Sequence, residues 1–315
     1  ADKDKAGYID LMYKLKLDGG SVFDFSIGGM YRDKKRDSFF NEYTFDSATG
    51  LGDLQYKGDD WNNYDEILFT PRTYGNISDP LNYDATEKIG AAYGMVKYTW
   101  NKWELIAGVR MEHTNQGYVL KFPTDNADPE GNQKYTDVLP SFHAKYNVHR
   151  NANLRFSYAR SINRPSFFEI VPYTIINEDY KEKGNPDLLH TVADNIDLRY
   201  EFFPKSSEQF MVGLFYKKLK NPIEYGLINE GQDTYYKPMN FGNAKNLGVE
   251  VDIMKYFNWF GIKANYTYTH SKITTDKRIM DGSEVKSIRQ SRPLFGQAAH
   301  VANLSLLFKS TKYGW

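Results

Sequence analysis

The feature that most constrains this chain is a hydropathy period of two residues, repeated in segment after segment. In Trp103 to Glu112, one face carries Trp103, Leu105, Ala107, Val109 and Met111; the other carries Glu104, Gly108, Arg110 and Glu112. Ile196, Leu198, Tyr200 and Phe202 alternate with Asp197, Arg199 and Glu201. Leu247, Val249, Val251 and Ile253 oppose Gly248, Glu250 and Asp252. Phe260, Ile262, Ala264, Tyr266 and Tyr268 oppose Gly261, Lys263, Asn265 and Thr267, and Ala302, Leu304, Leu306 and Phe308 repeat the pattern. Side chains on a strand alternate between faces, so this period specifies strands with one apolar and one polar face. About eleven are expected, near 8–17, 22–32, 86–99, 102–113, 135–148, 152–161, 191–202, 208–218, 245–256, 259–270 and 297–309, with a twelfth beginning at the C-terminus. The faces of 86–99 are not assigned by the pattern. No stretch longer than a turn carries a capped helix pattern.

The connections narrow the fold further. Short turns fall at Asp18–Ser21, Asn101-Lys102, His149–Asn151, Pro204–Ser207, Phe257-Asn258 and Ser310–Lys312. Long connections, roughly 33–85, 114–134, 162–190, 219–244 and 271–296, alternate with them. A transmembrane barrel has short turns at its periplasmic rim and long loops at its outer rim. Sandwiches and propellers do not sort their loops this way. Aromatic residues also collect beside the short turns: Trp100 and Trp103; Phe202 and Phe203; Tyr256, Phe257, Trp259 and Phe260; Phe308, Tyr313 and Trp315. Tyr and Trp favour the headgroup layer, so this is the pattern of an interfacial girdle. The expected fold is therefore all-β: an antiparallel up-and-down transmembrane β-barrel, in which Glu104, Arg110, Asp197, Arg199, Glu250 and Lys263 face a wet interior. Mean hydropathy is −0.64, but alternation cancels in an average, and barrels give no strong hydropathy signal.

Composition excludes several classes. Forty basic and 40 acidic residues leave no net charge, so no nucleic-acid footprint is expected. Cysteine is absent, which removes disulfides and thiolate metal sites. The histidines (113, 143, 149, 190, 270 and 300) form neither H-x-H nor H-E-x-x-H, and no P-loop, G-x-S-x-G elbow or dinucleotide turn is present. No catalytic residue, metal or cofactor is expected. The glycosylation triplets beginning at Asn76, Asn265 and Asn303 are read as chance, two of them lying inside expected strands. Ala1 to Lys5 is polar and unlike a signal peptide.

Four segments carry a resemblance. Arg160-Ser161-Ile162-Asn163-Arg164-Pro165-Ser166-Phe167 is followed by Gly184-Asn185-Pro186-Asp187-Leu188 and the strand from Asn195 to Tyr200. Asn240-Phe241-Gly242-Asn243-Ala244 precedes Gly248-Val249-Glu250; Arg292-Pro293-Leu294-Phe295-Gly296-Gln297 precedes Asn303-Leu304-Ser305-Leu306; and Gly29 to Arg36 ends the second strand. In this order the segments resemble the C-terminal barrel of TonB-dependent outer-membrane receptors of the Bacteroidetes type. The resemblance implies a place in the outer membrane and uptake of a scarce nutrient: a siderophore, vitamin, oligosaccharide or peptide. It implies as partners outer-membrane lipid, a small extracellular ligand, and TonB acting through an N-terminal plug. That family's barrel has about 22 strands. Residues 1–315 are thus expected to be a single barrel domain, cut at both ends, lacking plug, TonB box and final strands. An outer-membrane barrel enzyme and a soluble carbohydrate-binding module are the alternatives.

Binding residues concentrate on loops held by a rigid scaffold. The ligand candidates are Asp59, Asp60, Trp61, Tyr64, Tyr74, Phe167, Phe168, Tyr173, Tyr235 and Tyr236, competing with the plainer reading of a solvated loop. Arg164-Pro165 and Gly184-Asn185-Pro186 are read as structural, since Pro ends a ladder and Gly-Asn-Pro makes a turn.

Overall fold

A computed structural model describes residues 1–40, 45–47, 69–71, 81–123, 128–176, 180–230, 233–281 and 284–308. The strands are β1 (Asp2–Lys16), β2 (Val22–Ser38), β3 (Phe45–Ser47), β4 (Phe69–Pro71), β5 (Tyr83–Trp100), β6 (Trp103–Leu120), β7 (Glu130–His149), β8 (Ala152–Asn163), β9 (Thr174–Ile176), β10 (Lys181–Lys183), β11 (Thr191–Phe202), β12 (Gln209–Lys220), β13 (Ile223–Glu230), β14 (Asp233–Asn240), β15 (Asn243–Phe257), β16 (Phe260–Asp281), β17 (Glu284–Arg292) and β18 (His300–Phe308). The helix α1 (Phe167–Ile170) is one turn. Twelve strands form one antiparallel sheet in the order β1-β2-β5-β6-β7-β8-β11-β12-β15-β16-β17, with β18 also on β16. β17 pairs with the outer end of β16 (Ile273–Asp281) and β18 with its other end (Phe260–Tyr268), so the two share one position. All eleven expected strands are present. Residues 309–315, where a twelfth was expected, lie outside the described residues.

The register settles the faces. Directly paired residues share a face. Val109 and Met111 pair with Gly94 and Ala92 on β5, and with Pro140 and Val138 on β7. The unassigned strand therefore turns Gly90, Ala92, Gly94, Val96, Tyr98 and Trp100 outward. The row Phe156–Leu198–Leu214–Val249–Tyr268 continues that face across five strands. Its members Leu198 and Leu214 stay exposed, at 41 % and 49 %, and among the described residues no second layer of protein covers them. The inner face holds the charges, joined across strands: Lys97 to Glu104 at 3.0 Å, Arg155 to Glu201 at 2.7 Å, Arg199 to Glu250 at 3.4 Å.

Two aromatic bands mark the rims. Beside the short turns, Trp103 packs on Tyr146 at 4.7 Å between centroids and Trp259 stacks on Phe308 at 5.9 Å. Tyr256 does not join this band; it faces inward, over Gly261. Towards the long connections, Tyr31, Tyr158, Tyr216 and Tyr268 share the outward face. The turn after β15 is Asn258-Trp259, one residue later than expected, since Phe257 pairs with Phe260. Asn101 and Asn258 take positive φ (50° and 59°) as first residues of two-residue loops, a conformation Asn tolerates better than other side chains.

Several expected loops are partly wall. β2 runs to Ser38, β5 begins at Tyr83, β6 runs to Leu120 and β16 to Asp281. On β1 and β2 the extended wall is polar on both faces: Lys5 and Asp33 lie outward in register, while Arg32, Lys34 and Arg36 lie inward. Both faces meet water there, so the apolar period fades although the hydrogen-bond ladder continues.

Candidate functional site

The inner face of the outer half of β5 and β6 is covered. Tyr83, Ala85, Glu87 and Ile89 on β5 and Glu112, Thr114, Gln116, Tyr118 and Leu120 on β6 are all buried, every second residue in both strands. The cover is the connection from β8 to β11, which turns inward. Its turn α1 is closed by a capping box: Glu169 N donates to Ser166 Oγ at 3.3 Å, and Ser166 N to Glu169 Oε2 at 2.6 Å. Phe167, Ile170, Val171 and Leu188 join Tyr83, Ala85, Tyr118 and Leu120 in one apolar cluster. Lys34 and Arg36 stand over the Phe167 ring at 5.5 Å, within cation–π range.

Polar groups pin the same loop. Arg164 donates to Thr114 Oγ1 at 3.0 Å and to Glu112. Arg110 meets Glu112 from the other side, so this buried carboxylate lies between two guanidinium groups. Gln116 Nε2 donates to the Pro165 carbonyl at 2.8 Å, and Gln133 Nε2 to that of Pro186 at 2.6 Å. Gly184 is required by contact: a Cβ there would lie 1.7 Å from the Val171 carbonyl oxygen. Asn185 N donates to the Glu169 carbonyl at 2.7 Å, and its side-chain Nδ2 to that of Pro238 at 2.9 Å. Arg164, Pro165, Gly184, Asn185 and Pro186 thus all have partners within the chain.

Beyond the wall lies a second sheet, in the order β13-β14-β10-β9. β10 runs parallel to β14, setting Lys181 opposite Tyr235 and Glu182 opposite Tyr236. Tyr225 stacks on Tyr236 at 5.0 Å, and Tyr180 meets the Tyr236 ring edge-on at 5.5 Å. Burial pushes the Tyr225 phenol up to about 12. On the opposite face, Lys183 and Lys181 approach the Tyr235 ring at 4.9 and 5.9 Å, and Lys181 pairs with Asp233 at 2.8 Å. Asn240 clips this sheet to the wall: it accepts from Leu189 N at 2.8 Å and donates to the carbonyls of Leu189 and Asn221 at 2.9 Å. Arg292 and the Phe295 amide both bind the Glu224 carboxylate.

The ligand candidates divide accordingly. Tyr236 comes together with Tyr180 and Tyr225 on one face of the outer sheet, and Tyr235 with Lys181 and Lys183 on the other. Phe168 stacks on Tyr173 at 4.2 Å beside this sheet. Phe167 and Tyr173, expected on an open loop, are buried at 4 % and 0 % exposure. The Tyr173 hydroxyl donates to Glu182 at 2.8 Å, and burial raises its pKa. They serve the loop's own core, because an inward-folding connection needs apolar anchors. Asp59, Asp60, Trp61, Tyr64 and Tyr74 lie outside the described residues. Tyr180, Tyr225 and the two lysines were missed at sequence level; they share connections with chosen residues, but only parallel pairing of β10 with β14 gathers them. Among the described residues, no group of three His, Asp or Glu side chains is arranged to hold a metal ion.

The family model of the outer membrane protein beta-barrel family matches residues 20–311. The chain belongs to this family. This outer-membrane barrel has no match among curated proteins. Solved structures do match its fold. The siderophore receptor PiuA from Acinetobacter baumannii superposes with a TM-score of 0.66 at 15 % identity, over 99 % of this chain and 44 % of that one. The ferric citrate transporter FecA gives 0.62 at 14 %, over 98 % and 40 %. The hemophore receptor HasR of Serratia marcescens, solved with its hemophore HasA and heme, gives 0.61 at 10 %, over 88 % and 43 %. The barrel segment spans less than half the length of each receptor, and these identities speak to fold alone.

Proposed function

We propose that this segment forms part of the wall of a TonB-dependent receptor that binds a small extracellular ligand and carries it across the outer membrane, with no catalytic step. The observation that carries this reading is the fold match along nearly the whole chain to proteins described as siderophore receptor and ferric citrate transporter. The inner face supports it, being lined with charged and polar groups suited to water and a polar plug. The tyrosine cluster of Tyr180, Tyr225 and Tyr236 on one face of the outer sheet is the proposed first contact. Clustered aromatic rings suit a planar ligand such as an aromatic ferric chelate or heme.

The full-length protein in outer-membrane vesicles provides the test. Ferric chelates, heme, a corrinoid and oligosaccharides are titrated against tyrosine and tryptophan fluorescence, and uptake is followed with and without a proton-motive force. One ligand class is expected to quench saturably, and Tyr225→Ala with Tyr236→Ala to weaken it at least about tenfold, as loss of two aromatic contacts implies. Uptake that persists without the proton-motive force, or no saturable ligand, rejects the reading.

A further inference from the structure

Directly above the apolar band on β12, β15 and β16, the outward face carries a row of like charges. Lys218 pairs with Lys245, and Lys245 with Lys272, across three neighbouring strands. Lys220 lies two residues further out on β12. All four are exposed, and none forms an ion pair among the described residues. Like charges placed directly opposite on a sheet are destabilising, so this row is costly unless something outside the chain neutralises it.

The rest of the same rim is built differently. On β1, β2 and β5 the outward row reads Lys5, Asp33, Lys88, with alternating sign. On β8 and β11, Arg160 pairs with Asp194 at 2.8 Å; Asp194 also stands opposite Lys218, so an acid borders the lysine row on that side only, and Lys245 has a lysine on both sides. On β1 and β2, Lys3 and Lys35 also stand opposite one another, a single pair that ends at Thr86; among the described residues, a run of three outward cations on neighbouring strands occurs only from β12 to β16. Their height is fixed by what lies below. The next outward row towards the membrane is Tyr216, Leu247 and His270, then Leu214, Val249 and Tyr268. Tyr216 and Tyr268 belong to the aromatic band that marks the interface. The ammonium groups therefore lie at the level of lipid headgroups. The surface there is also concave: an open cavity of about 720 Å³ is lined by Lys245, Lys272, Thr274 and Ser291, and the hydroxyls of the last two lie 3.0 Å apart.

We infer that Lys218, Lys245 and Lys272, with Lys220 above them, form a binding site for phosphate-bearing headgroups of outer-leaflet lipid. Phosphate matches the row in charge, and the threonine and serine hydroxyls supply further donors to its oxygens. The site faces away from the lumen and is independent of the ligand patch inside.

The test uses the full-length protein in nanodiscs of zwitterionic lipid doped with phosphatidic acid as the phosphomonoester probe, with retained acidic lipid counted by native mass spectrometry. The wild type is expected to retain acidic over neutral lipid. Each lysine removed in the series Lys218→Gln, Lys245→Gln and Lys272→Gln should lower that preference about fivefold. Lys5→Gln with Lys88→Gln on the mixed-sign part of the rim should leave it unchanged. The cold and heated gel mobilities of the variants check folding; relief of like-charge contact predicts a barrel at least as heat-resistant as the wild type. Equal retention by the wild type and the triple variant overturns the inference. So does displacement of the lipid by millimolar inorganic phosphate, which would make the site one for free anion.

Discussion

Replacing Val251 with lysine is expected to cost about 2–4 kcal/mol of folding free energy in a bilayer. The magnitude follows from depth. On β15 the outward residues between Lys245 and Lys255 are Leu247, Val249, Val251 and Ile253. Ten residue steps separate the two lysines, about 33 Å of strand; a barrel tilt of about 40° reduces this to about 25 Å along the membrane normal, the height of a barrel's apolar band. Val251 lies near the middle, flanked by Val212 and Tyr266, beyond the reach of a snorkelling side chain. Leu247 lies one row below Lys245, and Leu247→Lys should cost only about 0–1 kcal/mol. Thr267 is next to Tyr266 in sequence but faces inward, opposite Glu250; Thr267→Lys meets water and a carboxylate and should fall within about 1 kcal/mol of wild type. The assay is reversible urea unfolding of the full-length protein in lipid vesicles, followed by tryptophan fluorescence. A cost for Thr267→Lys equal to or above that for Val251→Lys would refute the assignment of faces.

Three further outcomes follow from the inward loop and its clip. Gly184→Ala drives a methyl group into the Val171 carbonyl and should raise hydrogen exchange at the Asn185 amide at least about tenfold; unchanged protection would show that the close approach is not needed. Arg164→Ala leaves buried Glu112 with Arg110 alone and should cost about 1–3 kcal/mol. In a double-mutant cycle with Glu112→Gln, the coupling should exceed about 0.5 kcal/mol, and independent effects would contradict the pairing. Asn240→Ala removes three hydrogen bonds at the base of the outer sheet and should expose residues 221–240 to limited proteolysis; wild-type resistance would deny the clip a structural role.

How much of this was legible in the sequence depends on what each face meets. Where one face met hydrocarbon, the period of two was strict, and strands such as β11 and β15 were found almost to their ends. Where both faces met water, as from Arg32 to Ser38, the alternation had no solvent contrast to report, and wall was read as loop; from Asn115 to Leu120 the inward side is covered by a connection rather than by water, so its pattern of Gln116, Tyr118 and Leu120 did not match the membrane segments either. The outer sheet was invisible for another reason: β13 and β14 are a local hairpin, but the pairing of β10 with β14 joins segments about fifty residues apart, which no short window contains. Phe167 and Tyr173 looked like exposed loop aromatics because sequence does not say that a connection folds back into its own barrel. Gly184-Asn185-Pro186 was read as a turn, although which carbonyl forbids a side chain at Gly184 appears only in three dimensions.

In the wall, the order of strands in space repeats their order along the chain up to β16, with short hairpins at one rim, two of them led by Asn101 and Asn258. Such a sheet grows by adding each strand to the last one laid down. Within the wall, the growing edge is the newest strand, and from β1 to β16 the next wall strand in the chain is the one that pairs with it. A chain of this kind can be assembled from one end without searching among distant segments, and the cost of delay falls on a single row of backbone groups at a time.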